Sequence, residues 1–460
     1  MATPSSELVL GIDSSTQSTK AVLMDASDGS IVDRGTAPHP PGTAVDPRAW
    51  LTAFDQASAG LLEQAAAVAV GGQQHGMVAL DDHDSPVFDA LLWNDTRSAS
   101  AADALIDEMG GPAACAGAVG SVLVASFTST KLRWLRDHEP AVAAQVRRVL
   151  LPHDYVSRHI TGGDPFTDRS DASGTGYFST PADQWRPDLL ELALGHSVVL
   201  PRIVASDEVA DATSSGLVVG AGSGDNAAAA LGLDLQPGDV VVSIGTSGVA
   251  STISTVPVTD PTGHVTGFAD ATGHFLPLVA TINAARILQL QATLLGVDHD
   301  ELARLALAAS PGAHGLTVLP YYDGERTPNR PDATGTWAGM STATTREDVA
   351  RAAVEALLCS LADAVDHLTV VTGQSPARIL LLGGGAQNPA VQRIAPAVFG
   401  RPVTVPAPGE YVARGAARQA AWALVGGATP PPWPRVDSTT FEAEPTPDVR
   451  AAYRRLRDQL

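Results

Sequence analysis

Three short stretches gather the residue types that chemistry on a polar substrate would need. Gly222-Ser223-Gly224-Asp225-Asn226 follows the apolar run Leu217, Val218, Val219 and leads into an alanine-rich helical pattern. It reads as a strand, a glycine turn and a helix start, with one carboxylate at the corner. Glycine lacks a Cβ, so such a turn admits a ligand close to the backbone. Asp225 either caps the helix or points into a cleft. The second stretch, Asp13-Ser14-Ser15-Thr16-Gln17-Ser18-Thr19-Lys20, joins the apolar runs 8–12 and 21–24 as the turn of a β-hairpin. Hydroxyls and backbone N–H groups facing one way can hold phosphate oxygens. A carboxylate among them repels phosphate unless a divalent cation lies between, as at a magnesium–nucleotide site. The third, Gly71-Gly72-Gln73-Gln74-His75-Gly76, packs amides and an imidazole into one turn, a set suited to reading polar groups. The plainer alternatives are a solvated serine-rich turn and a hydrogen-bonded loop histidine.

The elements around these stretches are of the α/β kind. Strand, small hydroxyl turn and strand recur in the second half, as 240–244, Gly245-Thr246-Ser247-Gly248 and 249–253. A repeat of so long a period points to two related domains, each offering one phosphate-binding hairpin to a shared cleft. The strand 378–382 runs into Gly383-Gly384-Gly385-Ala386-Gln387-Asn388, and Pro389 starts a helix. Bare backbone there can take a flat ring or a phosphate, although a packing turn would look the same. No GxxxxGK[ST] motif occurs, nor the HRD and DFG pair of protein kinases. Residues 50–67 read as a helix. Asn94, Asp95 or Thr96 reads as the N-cap of a helix over 98–109, with Trp93 before it in the core as the alternative to a functional role. Lys131 reads as part of a structural amphipathic helix. The polar run 167–176 reads as a loop that satisfies its own backbone.

Composition sets the outer bounds. At 460 residues the length prior is two or three domains, and 44% hydrophobic with 17% charged residues is ordinary for a globular chain. A formal net charge of -21 argues against non-specific binding to nucleic acid or an anionic membrane. Lys20 and Lys131 are the only lysines, so any phosphate must rely on backbone N–H groups, a metal ion and a few local cations. Cys115 and Cys359 form no ligand-spaced cluster. Residues 1–7 lack a basic leader region, and no run nears the roughly 18 apolar residues of a membrane span. A cytoplasmic location is expected.

The pieces together resemble the FGGY carbohydrate kinases, and within them the members that phosphorylate xylulose. The likeness runs from Leu8 to about Leu424. It includes the signature-like segments Ser126-Phe127-Thr128-Ser129-Thr130-Lys131-Leu132-Arg133-Trp134-Leu135 and Gly335-Thr336-Trp337-Ala338-Gly339-Met340, the latter continuing to Asp348 and Glu355. The resemblance implies two actin-like (ribonuclease H-like) ATPase domains with mixed sheets, closing over a central cleft. The expected division is 1–236 and 237–460. It implies ATP and Mg²⁺, a small sugar as substrate, no nucleic-acid or membrane partner, and leaves a homodimer open.

By resemblance Asp225 is the catalytic base and Asp13 acts with it, holding Mg²⁺ through water. Thr16, Lys20, Gly245 and Thr246 meet the phosphates, and Gly384, Gly385 and Asn388 form the adenosine site. Gln74, His75, Trp93 and Asn226 read the sugar. Gln74 stands where xylulose-specific members often carry methionine, and the Arg-Glu pair of glycerol-specific members is absent. The expected reaction is ATP-dependent formation of D-xylulose 5-phosphate. Kinases of ribulose or erythritol, a non-catalytic sugar sensor and a filament-forming relative are the rivals.

Overall fold

The computed structural model describes residues 7–459. The leader reading concerns residues 1–7, of which 1–6 lie outside the described residues, as does Leu460 of the terminal helix.

Two seven-stranded mixed sheets organise the chain. In the first, Ile31–Pro38, Ser18–Asp25 and Leu8–Ser14 run antiparallel in turn, and Ala67–Gly72 and Val218–Gly220 follow parallel to Leu8–Ser14. In the second, Phe275–Thr281, Gly248–Thr252 and Asp239–Ile244 are antiparallel, and Arg378–Leu382 and Val403–Pro406 follow parallel. Order and sense match strand for strand, so the two serine- and threonine-rich hairpins occupy equivalent places. The parallel strands are near-continuous apolar runs, such as Ala67-Val68-Ala69-Val70 and Ile379-Leu380-Leu381, because helices cover both faces.

One element crosses the expected division at 236/237. The helix Tyr411–Val425, counted with the second unit, packs on the first sheet. A Cβ at Gly11 would stand 1.8 Å from the Ala413 carbonyl oxygen. On its other flank this helix meets Asp225–Gly232, where a Cβ at Gly415 would stand 1.8 Å from Ala228 O and one at Gly232 would stand 2.2 Å from Tyr411 O. Backbones approach this closely only where side chains are missing. Trp433 follows it back, donating Nε1–H to Ala26 O at 2.9 Å. An alanine-rich pattern announces a helix with close neighbours but does not say which sheet supplies them.

Local expectations also shift. The helix expected over 50–67 is Arg48–Ser58, and Gly60 at φ 73° turns the chain before a short 3₁₀ turn. The helix after Trp93 is Ala99–Glu108 with Ser98 at its N-cap, so none of Asn94, Asp95 or Thr96 caps it. Asp95 instead accepts from Thr43 Oγ1 and from Arg97 N and Nε.

The glycine seam yields a stability prediction. Gly415→Val forces a branched side chain onto Ala228, and overpacking against backbone costs about 3 kcal/mol or more. Thermal or urea melting reads the loss directly.

Candidate active site

Strand register builds the first half of the site. Asp13 pairs with Gly71 and Ser14 with Gly72, while Ser223 and Gly224 pair with the same two glycines from the other side. Three parallel strands therefore finish level, and Asp13, the Gln73-Gln74-His75 turn and Asp225 leave their carboxyl ends together. Ligands of open α/β sheets bind at such an edge.

Asp225 is the first residue of the helix Asp225–Gly232, and Gly224, not Asp225, is the N-cap. Its Oδ1 accepts from Asn226 N at 2.7 Å and Asn226 Nδ2 at 3.0 Å, and Asn226 Nδ2 also donates to Gln74 Oε1 at 3.3 Å. Desolvation raises the Asp225 pKa to about 7, opposed by the Asn226 hydrogen bond and assisted by the charge of Asp13. A carboxylate so poised accepts a proton efficiently near neutral pH.

Asp13 is only 5% exposed, and its Oδ1 has no hydrogen-bond partner among the described residues. Burial lifts its pKa to about 6, against the pull of Lys20 across the hairpin. An orphaned, desolvated carboxylate oxygen fits a hydrated divalent cation. Lys20 differs from expectation. Its Nζ binds Glu410 at 2.6 Å, so a carboxylate already engages the charge expected at the phosphates.

The Gln74-His75 turn is held from several directions. Gln74 Nε2 donates to Ser170 O at 3.3 Å. His75, at φ 69°, sets Nδ1 2.7 Å from Gly174 O. A carbonyl can only accept, so Nδ1 carries the proton and Nε2 is left as an acceptor. Burial, then Lys131 and Arg326, push the His75 pKa down to about 3, which keeps the ring neutral. The His75 carbonyl accepts from Lys131 Nζ at 3.1 Å and Thr128 Oγ1 at 3.2 Å. The buried Lys131, read from sequence as merely structural, thus anchors the turn. Trp93 is 45% exposed rather than in the core, and its Nε1 donates to Thr16 Oγ1 at 2.9 Å.

In the second half, Gly245 and Thr246 cross from Asp239–Ile244 to Gly248–Thr252, their carbonyls accepting from Ala285 N and Ala284 N. The Gly383–Gly385 turn lies alongside. A Cβ at Gly385 would stand 2.4 Å from Ile244 Cγ2, so packing alone requires that glycine. Gly384 has nothing within 4 Å of a Cβ position and is the open part of the shelf. Asn388 caps the helix Pro389–Phe399, accepting from Ala390 N and Val391 N.

Sequence reasoning missed the layer behind Gln74 and Asp225. The run 167–176 is not a free loop. It holds the short buried helix Arg169–Ala172, with Asp168 at its N-cap. Ser170 Oγ accepts from Gly224 N at 3.1 Å, and Asp171 meets the buried His153. The only available signal was the density of Asp and Ser between two apolar elements.

The family profiles agree with this architecture. The FGGY family of carbohydrate kinases matches with its N-terminal domain over residues 8–232 and its C-terminal domain over 240–424. The chain belongs to the FGGY carbohydrate kinases. A xylulose kinase of Streptomyces coelicolor is 45% identical over 441 residues, covering 93% of this chain and 90% of that one. The crystal structure of a xylulose kinase from Bifidobacterium adolescentis superposes with a TM-score of 0.93 at 46% identity, covering 98% and 99% of the two chains. Plasmodium falciparum glycerol kinase, 18% identical with a TM-score of 0.86 over 99% and 98% of the two chains, shares the fold. The fold is thus the two-domain, actin-like one of sugar kinases, and the protein is a carbohydrate kinase. Carbohydrate kinases take their phosphoryl group from ATP. Among the described residues no helix is long and apolar enough to cross a membrane.

The raised Asp225 pKa gives two expected outcomes. A base at Asp225 works only in its ionised form, so in that role kcat/KM for the sugar should rise with pH and level off above about 7. Burial of that charge opposes folding increasingly as pH climbs from the ordinary 3.8 through about 7. Asp225→Asn should therefore melt at a higher temperature than the parent at pH 8 and lose that advantage at pH 4.

Proposed function

We propose that this kinase phosphorylates D-xylulose, giving D-xylulose 5-phosphate and ADP, with Asp225 as general base. The observation that carries the reading is the Asp225 carboxylate, desolvated, without a cationic partner among the described residues, and linked through Asn226 to Gln74. The names of the similar xylulose kinases support the choice of sugar.

A sugar hydroxyl is a weak nucleophile, so its proton must leave as the new bond forms. The O5 oxygen attacks the γ-phosphorus, its proton passes to Asp225, and the bond from that phosphorus to the β,γ-bridging oxygen breaks to release ADP. Gln74, Asn226 and the neutral His75 orient the sugar through its hydroxyls, His75 offering Nε2 as an acceptor. Trp93 walls the sugar side while tied to Thr16. Asp13 would hold Mg²⁺ through water, and the bound ion supplies neutralisation of phosphate charge. Thr246 and the Gly245 backbone are the phosphate donors of the second half, and the open Gly384 shelf takes the nucleoside. Gly385 and Asn388, which also serve the fold by packing on Ile244 and capping the helix Pro389–Phe399, complete the nucleoside side. Lys20 meets phosphate only by leaving Glu410. Closure of the two halves excludes water, which otherwise would hydrolyse ATP.

Coupled ADP release over a panel of D-xylulose, D- and L-ribulose, erythritol and glycerol tests the assignment. The highest kcat/KM is expected with D-xylulose, and a better result with another sugar would overturn it. Asp225→Ala should bind the sugar and lose turnover by about 10³-fold or more. Near-parental turnover in that variant removes Asp225 from the base role.

A further inference from the structure

One buried charged cluster lies against both substrate-facing turns, and no step above uses it. His153, Asp154 and Asp171 have fully buried side chains. The His153 ring lies against Gly222, where a Cβ would stand 2.4 Å from Cδ2 and 2.9 Å from Nε2. Its Cβ lies against Gly72, where a glycine-to-alanine Cβ would stand 2.7 Å away. Gly222 leads into Asp225 and Gly72 leads into Gln74, so one residue touches the root of both turns.

Each ring nitrogen faces a carboxylate. Nδ1 lies 2.5 Å from Asp171 Oδ2 and Nε2 lies 3.2 Å from Asp154 Oδ1. Nδ1 donates to Asp171, whereas the Nε2 contact with Asp154 is charge facing charge without a hydrogen bond. Against the desolvation of burial the two carboxylates raise the His153 pKa, which makes the ring a cation. The three groups stand close enough to hold a metal ion. An imidazolium has no lone pair for one, and the short Nδ1 contact favours the ion pair. The clamp ties the helix Pro152–Thr161 to the helix Arg169–Ala172. Ser170, beside Asp171, accepts from Gly224 N through Oγ and from Gln74 Nε2 through its carbonyl.

We propose that His153, clamped as a cation between Asp154 and Asp171, is a positioning residue for phosphoryl transfer. It fixes the Ser170 helix, and through it the relative placement of the Asp225 carboxylate and the Gln74 amide. The proposal rests on the reading of Asp225 as base. It makes a prediction that general destabilisation does not. Losing the clamp misplaces base and sugar while leaving the Gly245, Thr246 and Gly384 side untouched, so the two substrates respond differently.

The experiment compares the full-length protein with its His153→Gln, Ser170→Ala and Asp225→Asn variants. It reads kcat, KM for D-xylulose, KM for ATP and melting temperature. His153→Gln should lose about 10²-fold in kcat, the cost of a misplacement of about 1 Å, with KM for ATP unchanged. Should His153→Gln fail to fold, Ser170→Ala keeps His153, Asp154 and Asp171 and removes the acceptor of Gly224 N–H. Its expected loss is about tenfold in kcat, again with KM for ATP unchanged. Folded variants with parental kcat and sugar KM would overturn the proposal. So would equal changes in both KM values with a matching fall in melting temperature, which describe a merely structural role. If Asp225→Asn keeps its turnover, the base reading fails and this inference with it. If Asp225→Asn is inactive and the other two are parental, the positioning role alone fails.

Discussion

Every functional group of the first half hangs from one constraint, the parallel register that makes three strands end at the same level. Leu8–Ser14, Ala67–Gly72 and Ser223–Gly224 pair so that Gly71 and Gly72 are shared partners. A slip of one residue would turn the alternate set of side chains toward the cleft. The register is held from behind by contacts that admit no side chain. Gly11, Gly415 and Gly232 let the helix Tyr411–Val425 press its backbone against the sheet and against the helix that begins at Asp225. The position of Asp225 and the stability of the fold are therefore set by the same seam.

The two halves repeat one topology yet divide the work, and the difference lies in what is inserted. In the first sheet the chain from 73 to 217 lies between adjacent parallel strands. That stretch supplies Lys131, His153, Ser170 and Gly174, each of which holds the Gln74-His75 turn or the Asp225 turn. In the second sheet only the Gly383–Gly385 turn and the helix Pro389–Phe399 lie between the equivalent strands, and the turn packs directly on Ile244. The insertion builds walls around a small polar substrate. The plain half leaves an exposed shelf.

Much of this was legible because it is local. Both hairpins, the glycine turn before Asn388 and the strand–turn–helix at Asp225 follow from apolar runs broken by small residues. What stayed hidden is a property of partners. Nothing near Lys20 announces Glu410, and nothing near Tyr411 says that its helix crosses to the first sheet. The run 167–176 has the composition of a surface loop, and only the folded chain shows Asp168 and Asp171 fully buried around His153. Asp225 itself divided between cap and cleft until the structure put Gly224 at the cap.

The charges around Asp225 are arranged for basicity rather than for stability. Lys20 is engaged by Glu410, Arg169 by Asp183, and Lys131 by the backbone carbonyls of His75 and Ser126. Among the described residues Asp225 forms no ion pair, and only the amides of Asn226 soften its charge. A salt bridge there would hold the carboxylate well below its present pKa and stabilise the fold. It would also make a poor acceptor for a hydroxyl proton at neutral pH. The raised pKa of Asp225 and the orphaned oxygen of Asp13 are two aspects of one arrangement. Two carboxylates are buried close enough to oppose each other's ionisation, in a cleft that gains from the arrival of positive charge.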